Sequence, residues 1–143
     1  MLMKVERILT SKGLFYYSET GKTEAAIIEG NIKNCKIHKL NNMKPEEVLF
    51  SNYDCILIGT PTYGRGVPPL YFKQLLPKLY QLNGKRIGLF GSGNTIYGDD
   101  FCGALDLIEE IVKNKNEVIF KYKFEGMPKQ ENIKQLTKLI MEA

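Results

Sequence analysis

Two rhythms of apolar and polar positions alternate along the chain. Gly13–Ser18 reads GLFYYS, an apolar and aromatic run bounded by turn residues, and predicts a first strand. Lys22–Glu29 predicts a short helix stopped by Gly30-Asn31. Cys35–Leu40 alternates as a strand does. Tyr53–Gly59, YDCILIG, is continuously apolar and predicts a strand buried on both faces. Pro68–Gln81 predicts a helix with Leu75, Leu76 and Leu79 at core spacing and a proline in its first turn. Arg86–Gly91, RIGLFG, is a second buried strand. Asp99–Lys113 places Phe101, Ala104, Leu105, Ile108, Ile111 and Val112 on one helical face. Val118–Phe124 is a strand, and Pro128–Glu142 a closing helix with Ile133, Leu136, Leu139 and Ile140 inward.

The resulting order is β-α-β-β-α-β-α-β-α. Strands too apolar to face water, alternating with helices, point to a parallel sheet covered on both faces. Between the second and third strands, only Lys44–Phe50 offers a short helix. Residues 1–12 precede the first strand as an edge or flexible extension of a single domain spanning 1–143.

Composition narrows the class. With 143 residues, 43% apolar and 25% charged, the chain fits one globular domain with its own core. No apolar run approaches the roughly 20 residues of a membrane span. The N-terminus lacks the apolar core and cleavage site of a signal peptide, so a cytoplasmic protein is expected. Cys35, Cys55 and Cys102 are odd in number and widely spaced, against a disulfide frame or a zinc site. His38 stands alone and reads as a partly exposed strand residue; no metal is expected. The net charge of +4 comes from dispersed lysines, without the basic stripe of a nucleic-acid surface.

In such a sheet, ligands bind beyond the carboxyl ends of the strands. The loops after strands 1, 3 and 4 meet there. The first, Ser18-Glu19-Thr20-Gly21-Lys22-Thr23, offers hydroxyls, a glycine and a helix N-terminus, which together suit a phosphate. A plain helix cap with spare hydroxyls explains the same residues. A nucleotide-binding P-loop does not, because Tyr16 stands where its first glycine is required. The second loop, Gly59-Thr60-Pro61-Thr62-Tyr63-Gly64-Arg65-Gly66, carries an aromatic that can either cover a flat ring or cap the core. The third, Gly91–Asp100, supplies Ser92, Gly93, Asn94 and Tyr97. Ile96 spoils any match to the dinucleotide fingerprint. An aromatic ring bearing a phosphate and a polar edge fits the three loops together.

With those residues in place, the chain resembles the short-chain flavodoxins. Ser18–Thr23 resembles their phosphate motif, and Tyr63-Gly64 their first flavin loop. Phe90-Gly91, Gly93-Asn94, Tyr97 and Phe101-Cys102-Gly103-Ala104 resemble the second loop. The resemblance implies a three-layer α/β sandwich, its five-stranded parallel sheet in the order 2-1-3-4-5. It implies one flavin mononucleotide (FMN), with Tyr63 and Tyr97 sandwiching the isoalloxazine. It implies that Thr60, Asn94 and Cys102 line the ring edge, largely through backbone groups. Ser92, Gly93, Asp99 and Phe101 complete the expected cofactor contacts, with Pro61 and Thr62. The implied function is low-potential electron transfer, as a monomer, between a flavodoxin reductase or other donor and an acceptor enzyme, with no catalytic residue of its own. PTYGRGVP (61–68) and YKFEGM (122–127) resemble the flavodoxin-like activators of manganese ribonucleotide reductase, which is the alternative. A flavin-free binding module on the same fold is the third class. A response regulator is excluded by Ser18 and Thr60, and a small tyrosine phosphatase by the lack of its cysteine–arginine motif.

Overall fold

A computed structural model describes residues 11–18, 20–62, 69–94 and 102–143. Five parallel strands form one sheet in the order β2-β1-β3-β4-β5, as the resemblance implied. They are β1 (Lys12–Tyr16), β2 (Lys36–Lys39), β3 (Cys55–Gly59), β4 (Arg86–Gly93) and β5 (Glu117–Glu125). The helices are α1 (Lys22–Gly30), α2 (Leu70–Tyr80), α3 (Gly103–Val112) and α4 (Gln130–Glu142). The predicted starts of α2 at Pro68 and of α3 at Asp99 fall outside the described residues, as do residues 1–10.

Helices cover both faces. α2 and α3 pack on one, where Phe15, Ile56, Ile58, Ile87 and Leu89 meet Phe72, Leu75, Leu79, Leu105 and Ile108. α1 and α4 pack on the other, where Leu14, Leu57, Phe90 and Phe124 meet Ala26, Ile27, Leu136 and Ile140. β3 is buried at every position, which is why its sequence is apolar without alternation. Each large side chain so buried contributes about 1.5–3 kcal/mol. Leu139 and Ile111, expected inside, lie at the margins of these layers, half-buried.

Most element ends shift by one or two residues from expectation, and three differences have a clear physical cause. β1 ends at Tyr16, because the Ser18 main chain pairs with a side chain and not with the sheet. β4 runs on to Gly93, since Ser92 and Gly93 pair with Phe124 and Glu125. The helix expected over Lys44–Phe50 is replaced by three 3-10 turns, Leu40–Asn42, Pro45–Glu47 and Phe50–Asn52. Val48 and Phe50 are both buried, and at that spacing they would stand on opposite sides of a helix.

His38 is a half-buried β2 residue, as expected. Its ring stacks on Phe15 at 4.6 Å and its Nε2 lies 2.8 Å from the Tyr53 hydroxyl. Burial, and then nearby Lys36, hold its pKa below the ordinary value. Among the described residues no helix is long and apolar enough to cross a membrane.

Candidate functional site

Strand order reverses direction at β1. The chain leaves β1 through α1 toward β2 and leaves β3 through α2 toward β4, on opposite faces. That divergence opens a crevice at the carboxyl ends of the strands. A cavity of about 310 Å³ lies there. Thr20 and Lys22 line it from the turn after β1, Pro61 and Thr62 from beyond β3, and Ser92, Gly93 and Asn94 from the end of β4.

The turn after β1 is built to present donors. Gly21, at φ +84°, starts α1 from the left-handed region, and among the described residues beyond its chain neighbours no atom lies within 4 Å of where a Cβ would stand. The Ser18 hydroxyl accepts from the Glu24 amide at 3.2 Å, capping the first turn. Thr20 stays exposed. Thr23 is 1% exposed, yet its hydroxyl has no hydrogen-bond partner. Besides Thr23, only Thr137, on α4, has such a buried orphan side-chain atom among the described residues. A buried hydroxyl left unpaired costs about 1–3 kcal/mol, and this one stands in the first turn of α1 between Lys22, which lines the cavity, and Glu24, although Thr23 does not itself line the cavity.

The second and third loops press together. A Cβ on Gly91 would collide with the Thr60 carbonyl, and one on Gly93 would stand 2.8 Å from the Cys102 amide. Thr62 donates its amide to Ser92 O at 3.1 Å, and its hydroxyl accepts from the Ala104 amide at 3.1 Å. One threonine thereby joins the loop after β3 to β4 and to the start of α3. Thr60 is fully buried, and its hydroxyl donates to Pro61 O at 3.0 Å. Cys102 is 1% exposed, with its thiol near Gly91 O and Phe124 O. Burial pushes that thiol up to about 11, which makes it an inert structural group. Neither Thr60 nor Cys102 lines the cavity.

Charge is held beside the first turn of α1. The Glu24 carboxylate accepts from the Tyr16 hydroxyl at 2.7 Å and pairs with Lys39 Nζ at 2.7 Å. The Lys39 bond, then that from Tyr16, holds the Glu24 carboxyl below the usual range. Burial, reinforced by Glu24, raises the Tyr16 hydroxyl far above its ordinary value.

Glu19, Tyr63, Gly64, Tyr97, Asp99 and Phe101, expected at the site, lie outside the described residues. Three residues that do belong to this end were not anticipated. Glu125 and Gly126 line the cavity from the end of β5, where the Gly126 amide donates to Gly93 O at 3.0 Å. Asn41 grips Ser18 from the turn after β2. A glycine directly after the fifth strand, at the same sheet end as the other loops, was the available signal for the first two. Asn41 carried none.

The donor set fits FMN: an unpaired hydroxyl and an open glycine turn suit its phosphate, and the Asn94 amide and loop backbone suit polar ring atoms. The flavodoxin family model matches residues 14–137. A probable flavodoxin 2 of Bacillus subtilis is 32% identical over 132 residues, covering 86% of this chain and 87% of that one. A flavodoxin of Synechocystis is 31% identical over 108 residues, covering 71% of this chain and 64% of its own length. The structure of a Streptococcus pneumoniae TIGR4 flavodoxin superposes with a TM-score of 0.74 at 25% identity, covering 92% of this chain and 95% of that one. The chain therefore belongs to the flavodoxin family of FMN-binding electron carriers.

Proposed function

We propose that this flavodoxin seats the FMN phosphate on Ser18–Thr23 and its ring between Tyr63 and Tyr97. The observation that supports this most is the buried Thr23 hydroxyl without a partner in the first turn of α1. Thr20, Lys22 and the amides that follow Gly21 complete the anion seat, with Glu19 beside it. Pro61, Thr62, Ser92, Gly93 and Asn94 flank the ribityl chain and ring. Gly64, Asp99 and Phe101 complete the ring contacts, and Thr60 and Cys102 act behind them by fixing the loops. When bound, FMN supplies reversible electron uptake at its ring. The protein's part is to orient that ring, exclude water from one side of it and set the charge around it.

Flavodoxins work with partner proteins. For this chain the partners are a reductase or other donor and an acceptor enzyme, met as a monomer in the cytoplasm. A net charge of +4 suits partners with acidic docking surfaces. Nothing among the matching proteins favours the ribonucleotide reductase activator.

The test is reconstitution of the purified chain with FMN, followed by anaerobic reductive titration with a reductase. Thr23→Val keeps the shape of the side chain and removes the hydroxyl. It is expected to weaken FMN binding by about 1–3 kcal/mol while leaving the apoprotein at least as stable, since an unpaired buried group is lost. A chain that takes up no FMN would sink the proposal.

A further inference from the structure

Glu24 poses a problem for the anion seat just described. It is the third residue of α1, about 4.5 Å along the axis from Gly21 at 1.5 Å per residue. An acidic side chain there competes for the positive end of the helix and repels a phosphate.

The fold answers with a bracket. Tyr16 and Lys39 are register partners at the ends of β1 and β2, so their side chains leave the same face of the sheet. That is the face on which α1 packs. The Glu24 carboxylate lies over the pair, 2.7 Å from the Tyr16 hydroxyl and 2.7 Å from Lys39 Nζ. Its charge is drawn toward the sheet and balanced there. Lys39 and Glu24 remain 36% and 25% exposed in their side chains, and a pair that open adds little to folding stability.

We infer that Lys39, acting through Glu24, is a positioning residue that neutralises the first turn of α1 and so keeps the helix end available to the FMN phosphate. The inference rests on the proposed phosphate seat and adds to it a residue on an edge strand that does not itself line the cavity. Its consequence is selectivity: Lys39 matters for a flavin that carries a phosphate and not for one that lacks it.

Dissociation constants of FMN and of riboflavin, measured on the full chain by quenching of flavin fluorescence, test this. Lys39→Met is expected to weaken FMN roughly tenfold, the order set by one uncompensated charge near a dianion, and to leave riboflavin unchanged. Lys39→Arg keeps the FMN affinity. Adding Glu24→Gln to Lys39→Met restores it, because the amide still accepts from Tyr16 and no longer repels the phosphate. Equal weakening of both flavins by Lys39→Met, or no rescue by Glu24→Gln, overturns the inference. Thr23→Val separates the two levels. If it leaves the preference for FMN over riboflavin intact, the seat itself is wrong. If it reduces that preference while Lys39→Met does not alter it, only the role of Lys39 falls.

Discussion

The Asn41 side chain satisfies both main-chain polar groups of Ser18: its Oδ1 accepts from the Ser18 amide at 3.0 Å and its Nδ2 donates to the Ser18 carbonyl at 2.8 Å. A single carboxamide thus replaces the ladder partners that Ser18 loses on leaving β1. Asn41→Leu keeps the volume and strands both groups. Urea unfolding of the apoprotein is expected to show a loss of about 1–3 kcal/mol, and FMN titration a weaker affinity. Asn41→Asp, which keeps the acceptor, falls between. Tight FMN binding by the Leu variant would show that the clamp does not shape the phosphate turn.

Gly91 is fixed by the neighbouring loop. Its Cβ would meet the Thr60 carbonyl, a backbone group with nowhere to retreat because the Thr60 amide is bonded to Phe90 O at 3.1 Å. Gly91→Ala should cost about 3 kcal/mol of stability, the upper end for a small-to-large change in a packed site, with FMN affinity falling alongside. A melting temperature equal to that of the parent chain would contradict the close approach.

Alkaline stability depends on Cys102. Burial, the largest influence, pushes its thiol up to about 11; Lys123 and a backbone hydrogen bond from Phe124 pull it down, and Asp106 raises it. An unfolded thiol titrates near ~8.5, so the folded state keeps a proton that the unfolded state releases. The stabilisation is complete below the unfolded value and is lost as pH rises through about 11. Urea midpoints taken across that window should fall more steeply for the parent chain than for Cys102→Ser. Flavin absorbance of the Ser variant should be nearly unchanged at neutral pH, and parallel pH curves would refute the assignment.

Tyr97→Ala is expected to weaken FMN binding by roughly 1–3 kcal/mol through lost stacking and ring burial. Fluorescence titration checks this directly; an unchanged dissociation constant counts against the aromatic sandwich.

What could be read from sequence tracks how local each determinant is. YDCILIG announces β3 because a strand buried on both faces needs no partner to be recognised. The stripe of Ala104, Leu105, Ile108 and Val112 announces α3 for the same reason. The extension of β4 to Gly93 was invisible, since it depends on pairing with Phe124 and Glu125 far along the chain. The turns between β2 and β3 were misread because Leu40, Val48 and Phe50 are buried by tertiary packing and not by any helical period. At the site, Thr20, Lys22, Thr62 and Asn94 could be named from the loops that carry them. Asn41 could not, because nothing in its own neighbourhood distinguishes a surface asparagine from one that holds the turn after a neighbouring strand.

β2 is four residues long, has no fully buried position, and lies at the border of the sheet. Its end nonetheless supplies Lys39, and Asn41 follows two residues on. Fraying of this border would loosen both attachments of the phosphate turn at once. Cofactor escape and opening of the least protected strand are then one event, and loading with FMN should slow deuterium uptake at Lys36–Lys39 more than at the central β3.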